Sequence, residues 1–336
     1  MGSTPAPKRW RPCEALLGLS KTVSASRAGL MSETTVAALA AALNLSVFAG
    51  EDCLGKTVET ADIHRPSLEV AGYFDHYPAL RVQVIGKTES EFFAELAPQI
   101  QQQRADKLVI PTTPCLIFTR NLEPHRAIID CARITKTPLL RTSLPTTRLI
   151  SRLGHWLDNA LAPRKTLHGV LVELFGVGVL ITGVSGIGKS ETALELIRKG
   201  HRLVADDAVE IRRPSEDVLV GSCPAVLANL IEIRGLGIID VCKIFGAGAV
   251  RPEKRVELIL HFEPWQEGGE YDRLGFETNY QELLGVKLPL ITIPVAPGRN
   301  LAMLVETAAV NFRAKTMGAD VSQDLIRRIA EEMARS

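Results

Sequence analysis

The chain has 336 residues, 46% of them hydrophobic and 23% charged, with 39 Lys and Arg against 38 Asp and Glu. That length exceeds what one hydrophobic core usually organises, so two domains are expected, and the ordinary composition excludes gross disorder. The balanced charge excludes a global field that would draw nucleic acid or an anionic membrane. No membrane-length apolar run occurs either, because Glu173 interrupts the longest candidate, Val170 to Ile181.

Residues 1–30 carry Lys8, Arg9, Arg11, Lys21 and Arg27 against one acid, Glu14. The stretch is faintly similar to a transit peptide but lacks the compact apolar core of a secretory signal. It reads as a disordered tail or an upstream start, with Met31 opening the folded part. From Ser32, SETTVAALAAALNL predicts a capped amphipathic helix with Ser32 and Thr34 as candidate N-caps. A strand over Leu80 to Ile85, a helix over Glu89 to Gln103, and strands over Lys107 to Ile110 and Cys115 to Phe118 follow, an α/β alternation. Thr147 to Ala162 predicts a connecting helix broken by Pro163. The boundary is expected near residues 150 to 160, giving domains over 31–155 and 156–336. Cys13, Cys53, Cys115, Cys131, Cys223 and Cys242 form no C-x-x-C pair, so they read as reduced and structural in a soluble, cytoplasmic protein.

In the second half, His168 to Phe175 and Val177 to Thr182 are β-rich and separated by Gly176, which predicts a hairpin. Gly183, Val184, Ser185, Gly186, Ile187, Gly188, Lys189 and Ser190 then match G-x-x-x-x-G-K-[ST], followed by a helical run from Glu191 to Lys199 that stops at Gly200. Strand, glycine loop and helix form the context in which backbone N–H groups cradle phosphate at the positive end of a helix. Lys189 would contact the β and γ phosphates of ATP, and Ser190 would offer its hydroxyl to Mg²⁺. Next, His201 to Asp207 reads as a short strand ending in two carboxylates, which strand alternation points in different directions. A strand adjoining the P-loop strand would set Asp206 and Asp207 beside the phosphates, one to accept a hydroxyl proton and the other to help hold the metal or a basic residue. The bland alternative is an Asp-Asp turn.

Six spaced blocks, HGVLVEL at His168, GVSGIGKSE at Gly183, HRLVADD at His201, EIRGLGIIDV at Glu232, YDRLG at Tyr271 and PVAPGRN at Pro294, together with HRPSLEVAGYFDHYPALRVQVIGKTE at His64, resemble the HPr kinase/phosphorylase family over residues 31–320. The resemblance implies an N-terminal α/β domain joined to a P-loop kinase domain similar to the nucleotide-binding core of phosphoenolpyruvate carboxykinases. It implies Mg²⁺-ATP-dependent phosphorylation of a serine of the phosphocarrier HPr, reversal by inorganic phosphate with release of pyrophosphate, a role in regulating carbon metabolism, and a homohexamer. Carried over, Lys189 is the phosphate-binding lysine, Ser190 and Glu232 the magnesium ligands, and Asp207 the acid/base, with His168 and Arg273 at further catalytic positions. Pro294, Val295, Ala296, Pro297, Gly298 and Arg299 match the dephosphorylation loop. Without the resemblance, His168 would read as structural, Arg273 as half of a solvated ion pair with Asp272, Glu232 as part of a surface turn, and the loop as an ordinary connection. H-R-D-x-x-x-x-N and D-F-G are both missing, which excludes a eukaryote-like protein kinase. A small-molecule kinase on the same core, or a nucleotide-gated regulator without turnover, remain as alternatives. Finally, Ser322 to Arg335 places Leu325, Ile326, Ile329 and Met333 at helical spacing, an amphipathic helix that docks on its own domain or on a neighbour.

Overall fold

The computed structural model describes residues 33–266, 279–319, 327–328 and 331–332. The tail over 1–30, Arg273, and the Ser322 to Arg335 segment apart from those four positions lie outside the described residues.

The N-terminal domain runs β1 (Thr34–Thr35), α1 (Val36–Leu43), β2 (Ser46–Ala49), β3 (Thr57–Val58), β4 (Ile63–His64), α2 (Ser67–Ala71), β5 (Val82–Ile85), α3 (Lys87–Glu95), α4 (Pro98–Leu108), β6 (Leu116–Phe118), α5 (Arg126–Thr135), β7 (Leu139–Arg141) and α6 (Thr146–Ala160). Strands β4 to β7 lie parallel in the order β2-β7-β6-β5-β4, with β2 antiparallel at the edge. Both faces are covered, as parallel strands require. Val82, Val84, Ile117 and Leu140 pack with Leu39, Leu149, Leu153 and Leu157 of α1 and α6. Ile85, Leu116, Phe118 and Leu139 pack with Phe93, Leu108 and Ile128 of α3 to α5.

Local chemistry corrects three expectations here. The first helix is capped by Thr35, whose hydroxyl accepts from Ala38 N–H at 3.2 Å, because Thr34 and Thr35 pair with β3 before the helix begins. The helix expected over Glu89 to Gln103 is two helices, since Leu96 is extended (ψ 149) and Pro98 opens α4; a residue before proline is steered out of the helical region, and proline suits a helix's first turn. Lys107 to Ile110 is no strand. Its first two residues end α4, and Leu108 and Val109 are buried in the helix-side core.

The C-terminal domain comprises β8 (Arg164–His168), β9 (Val170–Leu174), β10 (Val177–Gly183), α7 (Lys189–Arg198), β11 (Arg202–Ala205), β12 (Ala208–Ser215), β13 (Val218–Ser222), β14 (Leu230–Ile233), β15 (Gly237–Asp240), α8 (Val241–Phe245), β16 (Glu253–Arg255), β17 (Leu258–Pro264), β18 (Asn279–Leu283), β19 (Val286–Val295) and α9 (Leu301–Thr316). Its main sheet has the order β11-β9-β10-β17-β19-β18, with β10, β17 and β19 parallel. Val179, Ile181, Leu260 and Phe262 of this sheet pack with Ala193, Leu196, Ala302 and Val305 of α7 and α9. On the other face, Leu171, Leu180 and Ile259 meet Val209, Ile211 and Leu219 of a smaller antiparallel sheet, β16-β13-β12-β8. The central strands β9, β10 and β17 are thus largely buried on both sides, and β9 and β10 form the expected hairpin.

Two further expectations change. His168 closes β8 instead of opening the next strand, because the chain passes from the small sheet to the large one at Gly169, where a Cβ would lie 2.7 Å from the Ile181 carbonyl oxygen. Strand β11 does not adjoin the P-loop strand, since β9 stands between them. As β9 is antiparallel to both, β11 and β10 nevertheless run in the same direction, and their C-terminal ends share one edge of the sheet.

Candidate active site

The phosphate loop leaves the C-terminal end of β10 and enters α7. Gly183 has φ 140, and a Cβ there would sit 2.5 Å from the Phe262 carbonyl oxygen on β17, so the strand can end this close to its neighbour only as glycine. Val184 and Ser185 turn to the exposed side, while Ile187 packs against the core and Gly188 leads into the helix. Lys189 is 6% exposed and folds back over its own loop, donating to the carbonyls of Gly183 (2.9 Å) and Val184 (3.0 Å). Burial lowers its pKa, and the neighbouring charges of Asp206, Asp207 and Glu191 oppose that shift. The ammonium is therefore folded over its own loop and held there by two backbone carbonyls.

Strand β11 delivers the two acids to different partners. Asp206 is 3% exposed and accepts the Ser190 hydroxyl (2.8 and 3.1 Å to its two oxygens) and the Glu232 backbone N–H (3.1 Å). Burial raises its pKa to about 6, against the pull of those hydrogen bonds, and the charge of Asp207 adds to the rise. Asp207 adopts φ 66, which turns the chain into β12 and swings its carboxylate to His168. His168 Nδ1 donates to Asp207 Oδ1 at 2.9 Å and lies 3.0 Å from the Asp207 carbonyl oxygen, geometry set by the pairing of His168 with Ala208 between β8 and β12. The hydrogen bond to Asp207 raises the pKa of His168, with desolvation and Lys189 working against it.

Glu232 reaches the site by its backbone, on the β14–β15 hairpin, and its side chain is exposed. Among the described residues no group of three or more His, Cys, Asp or Glu side chains converges on one point. The hydroxyl of Ser190 and the carboxylate of Asp206 are hard oxygen donors at the loop's end. That set fits Mg²⁺, which takes few protein ligands and completes its shell with water and phosphate oxygens. Pro294 and Val295 end β19, and Ala296, Pro297, Gly298 and Arg299 form the exposed connection to α9. The helix that the connection leads into starts against the P-loop, since a Cβ at Gly188 would fall 3.6 Å from the Leu301 side chain at the start of α9.

Ser190, Asp206 and the backbone of Glu232 are thus joined by hydrogen bonds, His168 and Asp207 form the adjoining pair, and the charges of both acids bear on Lys189, whereas Arg273 lies outside the described residues. Two groups escape a reading of the sequence. The Arg234 guanidinium stands against the P-loop, where a Cβ on Gly186 would meet its terminal nitrogens at 2.5 and 2.6 Å. Its only sequence signal is a cation beside the Gly235 turn. Trp265 carries the Arg299 guanidinium over its ring at 5.9 Å, a pairing invisible to spacing because 34 positions separate the two in the chain.

Two family models cover the chain, the HPr serine kinase N terminus over residues 34–157 and the HPr serine kinase C-terminal domain over 159–329. The HPr kinase/phosphorylase of Bacillus subtilis strain 168 is 48% identical over 288 residues, covering 86% of this chain and 93% of that one. The Bacillus cereus strain B4264 protein of the same name is 50% identical over 285 residues, covering 85% and 92%. The solved Hpr(Ser) kinase/phosphatase from Coxiella burnetii is 40% identical and covers 48% of this chain and 98% of its own, with a TM-score of 0.44. With both halves matched in order and about half the residues shared with relatives along nearly their whole length, the chain belongs to the HPr kinase/phosphorylase family.

Proposed function

We propose that this protein uses ATP to phosphorylate a serine of HPr and, with inorganic phosphate, removes that phosphoryl group as pyrophosphate. The observation that supports the reading is a pair of adjacent hydrogen bonds at the end of the glycine loop, from the Ser190 hydroxyl to Asp206 and from His168 to Asp207. In the forward direction the serine oxygen attacks the γ-phosphorus in line, the bond to the ADP oxygen breaks, and Asp207 accepts the serine proton. In reverse, a phosphate oxygen attacks the phosphoserine phosphorus, the P–O bond to serine breaks, and the serine oxygen regains a proton through Asp207. His168 holds the Asp207 carboxylate in place. Lys189, and Arg273 by family position, neutralise charge spreading over the transferred group. Mg²⁺, with Ser190 and Glu232 as ligands by family position and Asp206 behind the serine, would add positive charge at the phosphate oxygens.

The same reading makes Pro294 to Arg299 the loop serving dephosphorylation, likens the C-terminal core to that of phosphoenolpyruvate carboxykinases, assembles the subunits as a homohexamer, and locates the protein in the cytoplasm. No helix among the described residues is long and apolar enough to cross a membrane. The test is to incubate the protein with Mg²⁺-ATP and HPr, follow HPr by intact mass, then add excess phosphate and assay pyrophosphate. Phosphorylation followed by phosphate-dependent reversal is expected. Transfer to a metabolite but not to HPr, or ATP binding without transfer, would move the assignment to a small-molecule kinase or a non-catalytic regulator.

A further inference from the structure

The loop from Pro294 to Arg299 is tied down at both ends. On one side, the C-terminal end of β17 pairs with it, Glu263 to Pro294 and Pro264 to Val295, and the Trp265 N–H donates to the Val295 carbonyl at 3.0 Å. On the other, Asn300 caps α9 by accepting from Met303 N–H at 2.9 Å, and Leu301 lies against the P-loop glycine Gly188. Between these anchors Arg299 is the only charged residue. Its guanidinium donates to the Pro294 carbonyl at 2.7 Å, which closes the loop on itself, and lies over the Trp265 ring at 5.9 Å. A guanidinium so placed is attracted by the ring's negative face, and the flat indole restricts where the charge can travel.

We infer that Trp265 is a positioning residue for the phosphate-dependent direction, holding Arg299 and the loop that carries it beside the P-loop. This rests on the reading that the loop serves dephosphorylation. The two directions make different demands on the site. The kinase reaction brings together an uncharged serine hydroxyl and a triphosphate already anchored along the P-loop. Phosphorolysis brings together two separate anions, inorganic phosphate and phosphoserine, which repel each other until cations span them. A cation fixed on the loop that runs into α9, whose first residue Leu301 meets Gly188, therefore favours the second reaction, and the indole that fixes it acts through Arg299.

The test compares full-length wild type, Trp265→Leu and Trp265→Phe, measuring kcat and KM for phosphate by pyrophosphate release and, on the same preparations, kcat and KM for HPr phosphorylation. Leucine keeps an apolar side chain but removes the ring face, while phenylalanine keeps a ring face. Trp265→Leu should raise KM for phosphate roughly two- to fivefold, the range an exposed cation–π contact supports, with kinase constants unchanged, and Trp265→Phe should recover most of the loss. Wild-type phosphorolysis in Trp265→Leu, an equal loss in both directions, or a phenylalanine variant no better than leucine would overturn the inference while leaving the functional reading intact. Wild type that phosphorylates HPr but releases no pyrophosphate would overturn both.

Discussion

Replacing Asp206 with asparagine should stabilise the protein while damaging it as a catalyst. Asp206 is a carboxylate 3% exposed whose pKa is raised to about 6 by burial and by the charge of Asp207. Below its unfolded value the group is neutral in both states and carries no penalty. As pH rises from there, the unfolded chain ionises first, and above the folded value the charge is present in both states but buried only in the folded one. Displacing the carboxyl from 3.8 to about 6 then opposes folding by roughly 3 kcal/mol. Asparagine does not titrate, is nearly isosteric, and can still accept from Glu232 N–H through its carbonyl while its amide faces Ser190. In Mg²⁺-free buffer with chelator, urea unfolding should show Asp206→Asn more stable than wild type by about 1–3 kcal/mol at alkaline pH, with the gap closing as pH falls through the folded and then the unfolded pKa. Kinase and phosphorolysis rates should both fall, a common exchange of function for stability at active sites. A variant less stable than wild type at alkaline pH, or a gap that ignores pH, would refute the electrostatic reasoning.

Three further outcomes follow from the same geometry. Asp207→Asn should lose about 10²–10⁴-fold in rate in both directions with ATP binding retained, checked by HPr intact mass and pyrophosphate release; near-wild-type rates would remove Asp207 as acid/base. Gly183→Ala puts a Cβ 2.5 Å from the Phe262 carbonyl oxygen at φ 140, so it should lose at least about 1–3 kcal/mol of stability and weaken ATP binding, read by thermal denaturation and calorimetric titration. Leu153→Ala, at a fully buried position between α6 and the N-terminal sheet, should cost about 2–5 kcal/mol in denaturant unfolding.

The N-terminal helices show where local reading stops. Cys115 to Phe118 and Thr147 to Ala162 are legible because runs of apolar residues at strand or helix spacing carry their own signal, and the structure has strand and helix there within two residues at each end. Lys107 to Ile110 misleads because its apolar residues belong to a helix end and the turn after it, both buried against the sheet, and burial alone does not separate strand from helix over four residues. The break at Pro98 was available locally, in the restriction proline places on the residue before it.

The P-loop, the hairpin before it and the helix after it are legible locally, because glycine, lysine and serine at fixed spacing specify a backbone shape and a phosphate chemistry within eight consecutive residues. The family blocks extended that reading to Asp207, His168 and Glu232. How the acids divide depends on long-range packing. Asp206 turns inward to Ser190 and Asp207 outward to His168 because β9 separates β11 from the P-loop strand and β8 pairs with β12, relations between segments distant in the chain. The same holds for Arg234 against Gly186 and Trp265 against Arg299: contacts made by folding leave no periodicity in a sequence, since the pairing depends on where whole strands lie rather than on the residues' spacing.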